Sequence, residues 1–140
     1  ANLNLIYRTN TVGVMGANFT TISVTKTVTN VTLRGNGSPA VPGSTLWVRI
    51  VCSNRTIQPG NWVAVFDRVD APLVFVTNSA TRPAGWFLEY STNAGPVQTW
   101  LSASYTTNQP SPSKVKWIRW KRQTFGSFAN DAFKYRIIIK

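Results

Sequence analysis

Residues 61–68 have the sequence NWVAVFDR, with apolar side chains at five consecutive positions. Because side chains alternate across a strand, they divide into two sets: Trp62, Ala64 and Phe66 on one side, and Val63 and Val65 on the other. A strand with apolar side chains on both faces is typical of the centre of a packed sheet. The segment therefore predicts a central strand of a β-sandwich.

Short segments rich in β-branched and aromatic residues recur on both sides of this strand, and Gly-, Pro- and Asn-rich turns separate them. Their spacing predicts about nine or ten strands. The segments are residues 3–8, 19–34, 45–52, 61–68, 73–77, 85–90, 97–105, 114–122 and 132–140. We predict an all-β protein with one domain spanning residues 1–140, a single antiparallel β-sandwich with a jelly roll as the favoured topology.

The single cysteine, Cys52, lies in the alternating segment LWVRIVC. It is in phase with Leu46, Val48 and Ile50, which predicts a buried and unreactive thiol. One cysteine forms no internal disulfide, so a disulfide-stapled secreted scaffold is excluded.

The titratable side chains are too few for most catalytic sites. The chain has no histidine and only four acids, which are Asp67, Asp70, Glu89 and Asp131. The lack of histidine excludes His-based triads, Cys–His pairs and imidazole metal sites. Hydrolysis by paired carboxylates would need two of the four acids across a sugar-binding cleft. We therefore expect that the protein is not an enzyme.

The net charge of +11 indicates attraction to a polyanion such as RNA, DNA, an acidic glycan or an anionic lipid surface. Residues 114–140 hold eight of the 15 Lys and Arg residues against one acid, Asp131. Binding of phosphates by these cations would be independent of base sequence and sensitive to salt. The predicted nucleic-acid-binding residues are Lys114, Lys116, Arg119, Lys121, Arg122, Lys134, Arg136 and Lys140.

These cations fall on two predicted strands, KVKWIRWKR at 114–122 and AFKYRIIIK at 132–140. In the second strand, alternation puts Phe133, Tyr135, Ile137 and Ile139 on the core face and Lys134, Arg136 and Lys140 on the other. If the two strands pair, their cations crowd one sheet surface, and a bound polyanion would relieve the repulsion. Trp117 or Trp120 would then be available to stack on bases. The alternative is that Lys and Arg stems cover the edges of tryptophans that belong to the core.

Asp67 and Asp70 follow the central strand in the segment AVFDRVDAP. Two carboxylates at this spacing either supply oxygen ligands to Ca²⁺ or cap the turn before Pro72. The segment resembles the strand-to-loop segment of jelly-roll coat proteins of small icosahedral plant RNA viruses and satellite viruses, in which an aromatic-Asp-x-x-Asp-x-Pro pattern follows a core strand. The matching residues are Phe66, Asp67, Asp70 and Pro72.

The resemblance implies a capsid protein that self-assembles around RNA, in a virion within the host cytoplasm, with Ca²⁺ bound by Asp67 and Asp70. Such coat proteins often carry a basic N-terminal arm that binds RNA. Residues 1–10 contain one arginine, so RNA contact is expected from the basic C-terminal strands unless an arm precedes this sequence.

Two other classes of function remain open. A secreted lectin or adhesin would use aromatic residues to stack on sugars, and the candidates are Trp86, Tyr90, Trp100 and Tyr105. A membrane-active cationic protein would combine Lys and Arg with tryptophan at an anionic interface. The longest apolar runs have five residues, so neither a transmembrane segment nor a signal peptide is expected.

Overall fold

The structure is a computed structural model that describes residues 4–8, 12–16, 22–30, 41–93 and 104–140, with the backbone alone for 4–8, 12–16 and Asn30. The described residues form nine strands and a short 3₁₀ turn, Pro112–Lys114. The strands are β1 Asn4–Arg8, β2 Val12–Gly16, β3 Ile22–Asn30, β4 Thr45–Asn54, β5 Gly60–Arg68, β6 Leu73–Phe75, β7 Phe87–Ser91, β8 Trp117–Phe125 and β9 Asn130–Ile139.

Two antiparallel sheets pack face to face, which confirms the all-β sandwich. The five-stranded sheet has the order β1-β2-β5-β8-β7, and the four-stranded sheet has the order β3-β4-β9-β6. β5 lies between β2 and β8, so the central position predicted for residues 61–68 is confirmed. Val63 and Val65 pack on one face of the sheet and Ala64 and Phe66 on the other, which explains that position. Trp62, expected beside Ala64 and Phe66, is instead 57% exposed.

The main core lies between the sheets and is rich in aromatic rings. Trp120 stacks on Phe133 with ring centroids 4.9 Å apart, and Trp86 meets the same phenyl ring edge-on at 4.8 Å. Cys52 is fully buried, as predicted from its phase in β4. Burial, and secondarily the charge of Asp131, raises the pKa of the Cys52 thiol to about 12, so the thiol stays protonated at neutral pH.

A buried polar contact joins the two sheets. Asp67 of β5 is completely buried; its Oδ1 accepts a hydrogen bond from Lys26 Nζ of β3 at 2.8 Å. Its Oδ2 accepts a hydrogen bond from the Tyr135 hydroxyl of β9 at 2.5 Å. Burial, and secondarily the neighbouring Asp67, raises the pKa of Tyr135 well above its ordinary value, so the hydroxyl remains a donor.

Three details differ from the sequence prediction. β2 was not predicted, because Gly13 and Gly16 interrupt the β-branched pattern. β8 begins at Trp117 rather than at Lys114, which ends the 3₁₀ turn. The predicted strand at residues 97–105 lies mostly outside the described residues.

The two basic strands do not pair, so the condition under which their cations would crowd one surface is not met. β8 and β9 belong to different sheets, because the core side chains of both strands pack against each other across the sandwich. Their outward-facing cations therefore lie on opposite outer surfaces. Within the part of the chain that is described, no helix is long and apolar enough to span a membrane.

Candidate nucleic-acid interface

The four carboxylate side chains of the chain all contact basic side chains. The shortest N–O distances lie between 2.5 and 3.5 Å. The ion pairs are Lys26–Asp67, Arg68–Asp70, Arg119–Glu89, Lys121–Glu89 and Arg122–Asp131. Since the sequence holds four acids and 15 Lys and Arg residues, most cations lack a carboxylate partner of their own.

On the outer face of the five-stranded sheet, two of the predicted cations contact a carboxylate of the same chain. Arg119 donates to Glu89 Oε1 from Nε at 2.9 Å, and its guanidinium lies over the Tyr105 ring, 3.8 Å from the centroid. Lys121 contacts the same Glu89 oxygen at 3.5 Å. These two predicted binding residues therefore share one carboxylate, which balances one of their two charges.

Arg122 is also engaged by its own chain. Its Nη1 contacts Asp131 Oδ2 and the carbonyl oxygen of Ala84, both at 3.5 Å. The guanidinium lies against Gly85, where an added Cβ would be 3.0 Å from the central guanidinium carbon. Gly85 also has a φ of +87°, a conformation that side chains disfavour, so this close packing requires glycine.

The outer face of the four-stranded sheet carries exposed cations on two neighbouring strands, β4 and β9. Lys134 and Arg136 of β9 project there between the inward-facing aromatic residues of that strand, and both are exposed. In the register of β4 and β9, Arg49 faces Lys134 and Trp47 faces Arg136. The Arg136 guanidinium lies 4.2 Å from the centroid of the Trp47 ring. We call Trp47, Arg49, Lys134 and Arg136 the basic face.

The basic face concentrates like charges. Arg49 and Lys134 are directly opposite across two strands, an arrangement that destabilises a sheet. No described residue forms an ion pair with Arg49, Lys134 or Arg136, and the four carboxylates of the chain are committed elsewhere. An anionic partner would therefore remove a repulsion that the fold itself leaves in place.

Arg49 was missed at the sequence level because it stands alone in an apolar segment. The signal was nevertheless present: Arg49 is out of phase with Leu46, Val48 and Ile50, which predicts that it points away from the core. The alternation in β9 placed Lys134 and Arg136 outward by the same reasoning.

The remaining predicted cations, Lys114, Lys116 and Lys140, lie at the end of the sandwich near the start of β6. The backbone N–H of Lys140 donates to the carbonyl oxygen of Pro72, and Lys116 Nζ contacts the carbonyl oxygen of Ser113 at 3.4 Å. Among the described residues none of the three forms an ion pair. They are separate from the basic face, although Lys140 follows β9 directly.

The tryptophans predicted as stacking platforms belong to the core. Trp117 is 1% exposed and Trp120 is completely buried. Neither ring is therefore exposed for stacking on a base. Trp120 Nε1 donates to the carbonyl oxygen of Thr81 at 2.9 Å, which fixes its ring further. The aromatic side chain on the basic face is Trp47, which is half-buried beneath Arg136.

The predicted calcium ligands contact different cations. Asp67 is buried against Lys26 and Tyr135, whereas Asp70 is partly exposed and contacts Arg68 Nε at 2.5 Å. Within the described ranges there is no group of three or more His, Cys, Asp or Glu side chains placed to hold a metal ion. Calcium binding by Asp67 and Asp70 stays a prediction.

The predicted sugar-stacking residues do not form one site. Trp86 is 2% exposed, packs on Phe125, and donates from Nε1 to Asp131 Oδ2 at 2.7 Å, so it is a core residue rather than a stacking platform. Tyr105 lies beneath Arg119. Tyr90 is largely buried but forms part of a surface cleft. Trp100 lies outside the described residues.

Comparisons of the chain with models of known protein families, with curated proteins and with solved structures found no match. The function of the molecule must therefore be inferred from the chemistry of its surfaces.

Proposed function

We propose that this protein is a structural coat protein that self-assembles and binds RNA through the basic face. The observation that carries the proposal is the opposition of Arg49 and Lys134, beside Arg136, on a sheet surface where no carboxylate balances them. Phosphate groups would supply the missing negative charge, and Trp47 would add an aromatic surface. Because such contacts read no bases, they suit a protein that packages RNA of any sequence.

The strand order supports a jelly roll of the kind found in coat proteins. In an eight-stranded jelly roll the last strand lies between the first and third, and the penultimate strand lies between the second and fourth. Counting from β4, the last strand β9 lies between β4 and β6, and the penultimate β8 lies between β5 and β7. An eight-stranded jelly roll has two further strands between the fourth and the penultimate in chain order.

Self-assembly is supported by apolar side chains at one end of the sandwich. Ile57 in the β4–β5 loop, Trp62 at the start of β5 and Phe128 in the β8–β9 turn are 76%, 57% and 67% exposed. Trp62 and Phe128 both have positive φ, a conformation that is costly for large residues and is concentrated at functional sites. We propose that this end of the sandwich contacts a second copy of the chain. Each copy carries a net charge of +11, so contact through two basic faces would be repulsive.

Gly60 helps to turn Trp62 outward. A Cβ at this position would lie 2.8 Å from Val63 Cγ2, closer than real side chains approach. The backbone therefore folds tightly between these residues, and Trp62 is exposed while Val63 is buried.

RNA affinity across a series of salt concentrations tests the proposal. The variant Arg49→Gln/Lys134→Gln/Arg136→Gln and the control Arg55→Gln/Lys114→Gln/Lys116→Gln lose the same charge. Each phosphate contact to a single strand contributes about 0.7 to the slope of log affinity against log salt, so the basic-face variant should lose about 2 from that slope. The control should keep its slope.

Equal losses in the two variants would mean that net charge alone drives binding, and the basic face would lose its role. Size-exclusion chromatography with light scattering tests assembly in the same samples. We expect large particles when RNA is added. A monomer or dimer without salt-dependent RNA affinity would overturn the coat-protein proposal.

A further inference from the structure

A second surface feature, separate from the basic face, is an open cleft beside β7. Its volume is about 540 Å³, within the range of small-molecule binding sites. The floor is formed by Leu88 and Tyr90 of β7, whose side chains pack against the core. One wall is the segment of residues 78–82, and the other is the segment of residues 107–109.

The first wall is held rigidly along β9. The backbone N–H of Thr81 donates to the carbonyl oxygen of Lys134 at 2.8 Å, and the N–H of Lys134 donates to the Thr81 hydroxyl oxygen at 3.2 Å. The carbonyl oxygen of Thr81 accepts the bond from Trp120 Nε1. Because Thr81 is fixed on both sides, the adjacent Arg82 extends from an ordered backbone.

The second wall is held by hydrogen bonds to β7 and to the first wall. Tyr90 and Thr106 exchange two backbone hydrogen bonds of 2.8 Å. Gln109 Oε1 accepts a hydrogen bond from the backbone N–H of Asn78 at 2.8 Å, which joins the two walls directly. The cleft is therefore formed before any ligand arrives, which lowers the entropic cost of binding.

The side chains at the mouth are of three chemical kinds. Arg82 is exposed, and none of the described carboxylates pairs with it. Asn78 and Asn108 have exposed side-chain amides, which can both donate and accept hydrogen bonds. Phe87, at the start of β7, is 54% exposed and also lines the cleft. No acidic side chain lines the cleft.

We propose that this cleft binds a short acidic saccharide. A single guanidinium matches a single sugar carboxylate through two parallel hydrogen bonds from Arg82. The amides of Asn78 and Asn108 suit the alternating donors and acceptors of sugar hydroxyls. Phe87 offers an aromatic surface to the apolar face of a sugar ring. A nucleic-acid strand fits less well, because one cation in a cleft gives little phosphate affinity compared with the cluster on the basic face.

This inference goes beyond the proposed RNA binding and does not depend on it, because the side chains of the basic face do not line the cleft, and Lys134 holds the first wall through its backbone N–H and carbonyl oxygen. The two sites also differ in their expected response to salt. One ion pair between Arg82 and a sugar carboxylate should depend less steeply on salt than several phosphate contacts, because fewer counterions are released.

Isothermal titration calorimetry with digalacturonate tests the cleft, with the neutral digalactose of the same linkage as the paired probe. We expect saturable binding of digalacturonate and binding of the neutral sugar that is weaker by about tenfold or more. Arg82→Gln should reduce the affinity for digalacturonate to that of the neutral sugar, and Phe87→Ala should weaken both probes. Arg82 and Phe87 are exposed, so both variants should fold, and urea unfolding checks this.

Two control variants separate this site from the basic face. Arg55→Gln removes an exposed arginine elsewhere and should leave binding unchanged. The Arg49→Gln/Lys134→Gln/Arg136→Gln variant should also bind digalacturonate normally. The proposal is overturned if digalacturonate does not saturate, if Arg82→Gln has no effect, or if the basic-face variant loses the sugar. Tighter binding of uridine monophosphate than of digalacturonate would also overturn it, since the cleft would then select a phosphate.

Discussion

The outer faces of the two sheets both carry Lys and Arg from the C-terminal part of the chain, yet their electrostatic states differ. On the five-stranded sheet, Glu89 binds Arg119 and Lys121, and Tyr105 covers the Arg119 guanidinium. On the four-stranded sheet, Arg49 and Lys134 face each other, and the described residues there include no carboxylate partner. The presence of one carboxylate therefore distinguishes the two basic surfaces.

The difference shows that counting cations along the sequence does not locate a binding surface. Arg119 and Lys134 look alike in a list of basic residues, but Arg119 makes two hydrogen-bond-length contacts to Glu89 whereas Lys134 is exposed without an ion pair to any described residue. A cation already paired with a carboxylate gains little from a phosphate, because the existing pair must first be broken. Unpaired cations that are gathered on one surface therefore supply most of the gain.

The largest expected effect is on stability and concerns Asp67, whose side chain joins the two sheets. Asp67→Asn leaves the Lys26 ammonium without its buried counter-charge and weakens the contact with Tyr135, so the free energy of unfolding should fall by about 3–5 kcal/mol. Asp70→Asn is the control, because Asp70 is partly exposed and its loss should cost about 1 kcal/mol or less. Urea unfolding measures both. Similar small losses would contradict the role of Asp67 in joining the sheets.

A smaller effect is expected when Glu89 is replaced, because the outer face of the five-stranded sheet would then resemble the basic face. Glu89→Gln keeps the side-chain size but frees Arg119 and Lys121, so the slope of RNA affinity against salt should steepen by about 1. The free energy of unfolding should fall by about 1.5–3 kcal/mol, because charged hydrogen bonds are lost. Both quantities are measurable on one preparation, by fluorescence anisotropy and urea unfolding.

Asp131→Asn is the matched control for Glu89→Gln. It also converts a carboxylate to an amide, but the cation that it frees, Arg122, remains in contact with the Ala84 carbonyl and packed on Gly85. Its salt slope should therefore stay unchanged. If Glu89→Gln folds normally and also leaves the slope unchanged, ion pairing does not explain the difference between the faces.

Much of the fold follows from the sequence because the side-chain alternation is clear in the central strands. The apolar run of β5 predicted its central position, and the alternation of β9 predicted which residues face the core. β2 escaped prediction because two of its five residues are glycine. The assignment of β8 and β9 to different sheets was also missed, since alternation predicts the face of a residue but not the neighbour of a strand.

The candidate site could be predicted only in part. Lys134 and Arg136 were expected on an outer surface, and the phase of Arg49 held the same information. The pairing of Glu89 with Arg119 depends on the register between β7 and β8, a contact between residues 30 positions apart that no local pattern contains. The burial of Trp86 likewise depends on rings from β8 and β9.

Lysine acetylation followed by mass spectrometry, with and without saturating RNA, compares the two faces within one molecule. Lys134 represents the basic face, Lys121 represents the face that contains Glu89, and Lys114 serves as an exposed reference at the end of the sandwich. We predict that RNA strongly protects Lys134 and leaves the modification of Lys121 and Lys114 nearly unchanged. Protection of Lys121 without protection of Lys134 would contradict the assignment of RNA binding to the basic face.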